Sequence, residues 1–313
     1  MTQILTVTLN PALDIATSAP RVVPGIKLRC GSETREPGGG GVNVARAIRQ
    51  LGGCARAVVA LAGPNGMALE SLLHDRGLDL IRVEAPSETR HSFAVTDEQS
   101  GEQYRFVLNG PDWDQHHLGT VLTTIDAEAP DDAIVVFSGS MPPGTPVGFL
   151  PKACAHLGTR RVVIDTSGAH LSHQATGPQP SPHVLRMDSH EAMTLSGKPL
   201  STRDESVAYA EVLRRKGAGE IVIIARGKDG SVMACPNGHW HVNAANQTVV
   251  SAIGAGDSFV GGFALALSRG EDPQDALRHG AAAASAACLS EGTQLCLPKD
   301  FEALLPQTRL TRI

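Results

Sequence analysis

Short apolar runs alternate with segments of helical periodicity along most of the chain. Ile4–Leu9 (ILTVTL), Ala57–Leu61, Ile134–Phe137 (IVVF), Val162–Ile164 and Ile221–Ile224 (IVII) are brief, mostly β-branched and free of charged residues. That is the pattern of strands buried on both faces. Between them, Asn43–Leu51 places Val44, Ala47, Ile48 and Leu51 on one helical face, and Met67–Leu73, Val147–Leu157 and Glu205–Arg215 read as further helices. The alternation predicts an α/β fold, a mostly parallel sheet covered by helices on both sides. Ala281–Ala287 (AAAASAA) reads as part of a buried helix whose small side chains allow close packing.

Two stretches break the rhythm. Residues 15–36 carry polar–apolar alternation without a good helix, and residues 90–108 read as a hairpin, HSFAVTD and QYRFVL around the turn Glu98–Gly101. Two strand-rich insertions in an α/β chain can form a small separate sheet that covers a site or pairs with another subunit. The expected organisation is therefore one domain over 1–313 with a β lid.

Composition mainly excludes. Hydrophobic residues make up 42%, charged 19% and aromatic 4%, and the net charge is −5. This is a globular composition without a basic field or stacking platform for nucleic acid. The N-terminal residues lack a basic, then apolar, leader, and no run of 18 apolar residues occurs, so neither export nor a membrane span is expected. The six cysteines are scattered, which suggests reduced, mostly buried thiols in a cytoplasmic protein.

The sharpest chemical signal is Ser251-Ala252-Ile253-Gly254-Ala255-Gly256-Asp257, which follows an extended stretch and opens a helix. Helix N-terminal N–H groups attract anions, and glycines let an anion approach. A carboxylate there is poorly placed to bind phosphate and well placed to take a proton from a hydroxyl attacking phosphorus. The structural alternative is a helix N-cap whose glycines serve a tight turn. A GxxxxGK[ST] loop, a GxGxxG after the first strand and the protein-kinase catalytic set are all missing.

A second signal is Glu36-Pro37-Gly38-Gly39-Gly40-Gly41-Val42-Asn43, a glycine loop that fits a compact ligand, with an amide to meet sugar hydroxyls. Asp14 follows the first strand at the carboxyl edge of the sheet, where such folds bind ligands. Lys27, Arg29, Arg90 and Arg105 lie in the two insertions and favour a phosphorylated sugar if they gather, although exposed strand charges are common. His116-His117 and His239-Trp240-His241 have no further metal-binding partner at helpful spacing and read as solvated turn or hairpin residues.

NPALD, PGGGGxNVARA, SGSMPPG and GAGD, in this order and spacing, resemble the ribokinase-like carbohydrate kinases over essentially the whole chain. The likeness is strongest to the phosphosugar branch, and within it to the minor type of 6-phosphofructokinase, on Lys27–Cys30, Ser100–Val107 and the four consecutive glycines. The resemblance implies a three-layer α/β/α domain, a β lid and dimers through lid-to-lid contact. It implies Asp257 as base and Gly254, Ala255 and Gly256 as anion hole. Asp14, Gly39, Gly40, Asn43 and Ser140 would contact the sugar, and Lys27, Arg90 and Arg105 its phosphate. Arg186, Asp188, Ala225, Gly227 and Gly230 would lie along ATP, with Ser285 near the adenine. Glu191 would hold Mg²⁺ through water, and Ser251, Ile253, Ala287, Ser290 and Gly292 would form a K⁺ loop.

The chain departs from the family pattern at Asp188, where asparagine is usual, and at Ala252, often threonine. His190 and Gln294 stand where the resemblance implies a lysine and an arginine. The implied reaction is ATP-dependent phosphorylation of fructose 6-phosphate at its 1-hydroxyl. Tagatose 6-phosphate and fructose 1-phosphate are the alternative substrates, and a sugar-phosphate sensor that has lost turnover is the alternative of another class.

Overall fold

The protein, seen here as a computed structural model, is described over residues 2–245, 249–290 and 294–313. Its strands are β1 (Ile4–Thr8), β2 (Ala12–Ala19), β3 (Thr34–Gly38), β4 (Arg56–Leu61), β5 (Asp79–Glu84), β6 (Arg90–Asp97), β7 (Gln103–Val107), β8 (Ile134–Ser138), β9 (Arg161–Asp165), β10 (Val184–Asp188), β11 (Ile221–Ala225), β12 (Ser231–Cys235), β13 (Gly238–Val242) and β14 (Leu310–Arg312). Ten of them form the main sheet in the order β14-β13-β12-β11-β10-β9-β8-β1-β4-β5. From β5 to β11 every neighbouring pair is parallel, and the last three strands close the edge antiparallel. The chain leaves β1 toward β4 and β5, then returns to β8 on the other side of β1. The order of strands therefore reverses at β1/β8, and ligands bind beyond the carboxyl ends of strands at such a reversal.

β1 and β8 are buried at every position, which explains their mostly apolar sequence, with only the uncharged Thr6, Thr8 and Ser138 between or after the apolar residues. Helices cover both faces, and separate apolar clusters fill the two sides of the sheet. The helix Ala255–Ser268 is buried from Ser258 to Ser268 and sits between two others. A Cβ on Gly261 would lie 2.8 Å from Ala47 Cβ, and one on Gly262 would lie 2.8 Å from the His279 carbonyl oxygen. These glycines and the Ala-rich helix Pro273–Ala287 let three helix backbones approach closely. No described helix is long and apolar enough to cross a membrane.

The second sheet has the order β3-β2-β6-β7 and takes its strands from both insertions. β2 pairs antiparallel with β3 and parallel with β6, in register Asp14↔Glu36 and Asp14↔Ser92. Alternation along the strands puts Asp14, Ser92, Ala94 and Arg105 on one face. Phe93, Tyr104 and Phe106 lie on the other, and each is exposed.

Some expectations need correction. Cys30 and Cys54 are exposed; Cys154, Cys235 and Cys296 are buried. His241 is not solvated: it is 2% exposed, and Nε2 meets the Asp229 carbonyl oxygen at 2.7 Å. The helix expected from Asn43 begins at Gly40. Gly40 and Gly41 are glycine because the helix start lies flat on the sheet ends. A Cβ on Gly40 would fall 2.5 Å from Gly139 N, and one on Gly41 would fall 2.6 Å from the Val7 carbonyl oxygen.

Candidate active site

The carboxyl ends of β1, β8, β9 and β10, the start of the helix Gly40–Gln50 and the start of the helix Ala255–Ser268 converge on one spot. Asp257 stands there in the first helical turn. Asn43 Nδ2 donates to Asp257 Oδ2 at 2.9 Å. Arg186 Nη1 donates to Asp165 Oδ1 at 3.0 Å, and its guanidinium lies beside Gly256, where a Cβ would approach within 3.1 Å. Ser138 Oγ donates to Asp165 Oδ2 at 3.4 Å. Burial, with Asp165 as a second cause, pushes the Asp257 carboxyl up to about 7; Asn43, Arg186 and Ser138 oppose the rise. A carboxylate tuned to neutrality is matched to accepting a proton at working pH.

Gly254 caps this helix with φ 74°, a left-handed conformation suited to glycine, and a Cβ there would strike Leu295. The first N–H groups of a helix have no intrahelical acceptor. Gly254, Ala255 and Gly256 stand at this helix start, immediately before Asp257, where an anion is favoured, and the Ala255 N–H reaches the Ala252 carbonyl at 3.4 Å. Arg186 Nε is buried without a partner, a donor that further suits the site to an anion.

The polar face of the small sheet bounds an open cavity of about 360 Å³ lined by Asp14, Glu36, Ser92 and Arg105, with Ile253 and Gln294 on the side of the phosphate loop. Burial raises the Asp14 carboxyl above the usual carboxylate range, against the pull of Arg90, Ser92 and Arg105. Gly38 leaves room for this carboxylate. At the strand reversal, Asn10 Nδ2 donates to Ser140 Oγ at 3.1 Å. Gly39, with φ 122°, is the cap that joins β3 to the helix.

Arg90 and Lys27 differ in placement. The Arg90 guanidinium donates to the Asn10 carbonyl at 3.1 and 3.3 Å and to the Leu108 carbonyl at 3.2 Å, so it ties the small sheet to the end of β1. Lys27 lies exposed on the connection between β2 and β3. Asp165, Ser138 and Arg46 belong to the site and were not singled out by sequence reasoning. Asp165 was findable, because it ends the strand RVVID at the carboxyl edge of the main sheet, whereas Asp14, expected at that edge, lies in β2 of the small sheet.

Comparison with known proteins bears on this geometry. Residues 8–300 match the pfkB family carbohydrate kinase description. The chain belongs to that family. ATP-dependent 6-phosphofructokinase isozyme 2 of Mycobacterium tuberculosis strain H37Rv is 36% identical over 303 residues, covering 96% of this chain and 88% of that protein. The protein of the same name from Escherichia coli K12 is 36% identical over 307 residues, covering 97% and 98%. The crystal structure of Escherichia coli phosphofructokinase-2 in complex with fructose-6-phosphate superposes with TM-score 0.89 at 34% identity, covering 98% of this chain and 99% of that one. The Bacillus subtilis 1-phosphofructokinase is 28% identical, covering 99% and 100%.

As a pfkB carbohydrate kinase, this protein is a phosphotransferase with an alcohol acceptor, and it has the ribokinase-like fold. One of its departures acquires a structural account. Asp188 caps the helix Ser189–Ser196: its Oδ1 accepts the Glu191 N–H at 2.8 Å, and Glu191 Oε2 accepts the Asp188 N–H at 2.8 Å. Aspartate and asparagine cap helices about equally well, so the exchange preserves this turn. Ala225 ends β11, and Gly227 and Gly230 both take positive φ in the turn after it. Arg203 and Arg226 brace that turn through Asp229, holding its carboxyl down at about 2. The Ser285 hydroxyl accepts the Ala245 N–H at 3.2 Å, which occupies the residue expected beside the adenine. In the expected cation loop, Ile253 N donates to Ser251 Oγ at 3.2 Å, Ser290 N donates to the Ala287 carbonyl at 3.1 Å, and the buried Ser290 hydroxyl has no partner among the described residues. Gly292 lies outside the described residues.

Proposed function

We propose that the protein transfers the γ-phosphoryl group of ATP to the 1-hydroxyl of fructose 6-phosphate, giving fructose 1,6-bisphosphate and ADP. The observation that carries this reading is the Asp257 carboxylate, poised near neutrality, at the mouth of a helix N-terminus and beside a cavity lined by Asp14 and Arg105. Asp257 takes the hydroxyl proton as the C1 oxygen bonds to phosphorus and the bond from phosphorus to the β-phosphate oxygen breaks. The N–H groups of Gly254, Ala255 and Gly256 stabilise charge on the transferring group. Asp14, Asn43 and Ser140 meet sugar hydroxyls across the floor formed by Gly39 and Gly40. Arg105, with Lys27 and Arg90, meets the sugar phosphate. Arg186, Asp188, Ala225, Gly227, Gly230 and Ser285 line the nucleotide.

No cluster of three or more metal-ligating side chains occurs among the described residues. That suits Mg²⁺, which binds chiefly to nucleotide phosphates and water; Glu191 would orient such a water. Mg²⁺ supplies neutralisation of the phosphate charge. The unpartnered Ser290 hydroxyl suits K⁺ in the loop with Ser251, Ile253 and Ala287. The exposed Phe93, Tyr104 and Phe106 face suits a homodimer through the lid. The absence of a long apolar helix among the described residues suits a cytoplasmic enzyme.

The test is ADP release with MgATP and fructose 6-phosphate, tagatose 6-phosphate, fructose 1-phosphate or free fructose. Highest kcat/KM on fructose 6-phosphate is expected. Preference for another phosphosugar corrects the substrate, and binding of a sugar phosphate without turnover of any overturns the enzyme reading in favour of a sensor.

A further inference from the structure

A buried arginine stands one side chain away from the base, and the mechanism above does not use it. Arg46 is 8% exposed, on the inner face of the helix Gly40–Gln50. Its Nη1 donates to Asn43 Oδ1 at 3.0 Å and to the Pro37 carbonyl at 3.4 Å, and its Nη2 lies 3.9 Å from Glu36 Oε2. Asn43 then donates to Asp257. A guanidinium has donors and no acceptor, so the Asn43 atom that meets it must be the carbonyl oxygen. The amide nitrogen is thereby turned toward Asp257. Asp257, Glu36 and Asp14 all attract the Arg46 charge, which places it among the carboxylates of both halves of the site.

We propose that Arg46 is a positioning residue that locks the Asn43 amide, so that its nitrogen holds Asp257 Oδ2 and leaves Oδ1 for the acceptor hydroxyl. The proposal rests on the reading of Asp257 as base. Glu36 and Pro37 belong to β3, so the same guanidinium joins the small sheet to the base. Without a donor at Arg46 the amide is free to turn over. Its oxygen would then face the Asp257 carboxylate, a contact that favours the protonated acid. The groups facing Asp257 are Asn43 and Arg46 from its neighbouring helix, Ser138 from β8, Asp165 from β9 and Arg186 from β10; those acting on Arg46 also include Arg76, Glu36 and Asp14.

The experiment compares pH profiles of kcat/KM for wild type, Arg46→Met and Arg46→Lys, with the sugar phosphate that the wild type turns over. The expected result is an acidic limb displaced upward by about one pH unit in Arg46→Met, a fall in kcat larger than any rise in KM for ATP, and substantial rescue by Arg46→Lys, which keeps a donor. A superimposable profile in Arg46→Met, whatever its thermal stability, overturns the proposal. If Arg46→Met does not fold, Arg46→Gln, which is too short to reach Asn43, is measured and read by the same outcomes. If the wild type turns over no sugar phosphate, the base reading fails by itself. The ¹³C carboxyl titration of Asp257, assigned with Asp257→Asn, then tests Arg46 independently: an upward shift in the variant supports the coupling, and an unchanged titration overturns it.

Discussion

A base that works at neutral pH must be held near neutrality without being neutralised by its surroundings. Asp257 meets this because burial and the Asp165 charge outweigh three donors. The profile of kcat/KM should therefore lose activity as pH falls through about 7; an acidic limb near the ordinary carboxylate value of 3.8 would contradict the tuning. The same shift has a stability consequence. The folded pKa lies above the unfolded one, so the stabilisation is complete below about pH 4 and is lost as pH rises through 7. Asp257→Asn should raise thermal stability at pH 8, by on the order of 2 kcal/mol after screening, and have little effect at pH 4. Melting curves at the two pH values check this. At Asp188 the carboxylate acts as a helix cap, so Asp188→Asn should leave stability within about 0.5 kcal/mol, whereas Asp188→Ala should cost about 1 kcal/mol. Denaturant midpoints separate the two.

The helix Ala255–Ser268 carries Asp257, the proposed base, in its first turn and is pinned by close backbone packing at Gly261 and Gly262. Gly261→Val would drive a side chain into Ala47 and the Val44 carbonyl. It should cost about 2 kcal/mol and lower kcat by shifting Asp257, as a melt and a saturation assay would report together. Element type was legible wherever periodicity was strong: the strands β1, β8, β9 and β11 and the hairpin β6–β7 follow directly from apolar runs and turn residues. The start of the helix Gly40–Gln50 was not, because glycine is a poor helix former and only contact with Gly139 and Val7 makes it necessary. β12 to β14 and the helix Ser189–Ser196 were likewise missed, since strands of three to five residues and a short capped helix carry little periodic signal. The helix start at Gly254–Asp257 and the placement of Arg90 and Arg105 on a small sheet were legible from residue type and position, and the place of Asp14 in β2 was not. The Arg46–Asn43–Asp257 chain was not, because a hydrogen bond spanning 214 residues of sequence leaves no local pattern.

The whole molecule is a large sheet with its reactive end covered by a small one. The small sheet has two unlike faces: one carries Asp14, Ser92 and Arg105 toward the cavity, the other exposes Phe93, Tyr104 and Phe106. A subunit partner on the aromatic face would steady the polar face over the sugar. Phe106→Glu should convert a dimer to a monomer in sedimentation equilibrium and raise KM for the sugar phosphate about tenfold, with a smaller effect on KM for ATP. A dimer that persists would remove the lid as the interface. The most direct test of the central claim is Asp257→Asn, measured for kcat at saturating MgATP and fructose 6-phosphate and for fructose 6-phosphate affinity by calorimetry. The account predicts a fall in kcat of about 10³-fold or more with affinity changed by no more than about threefold. A variant that keeps more than about a tenth of wild-type kcat would contradict the assignment of Asp257 as the base.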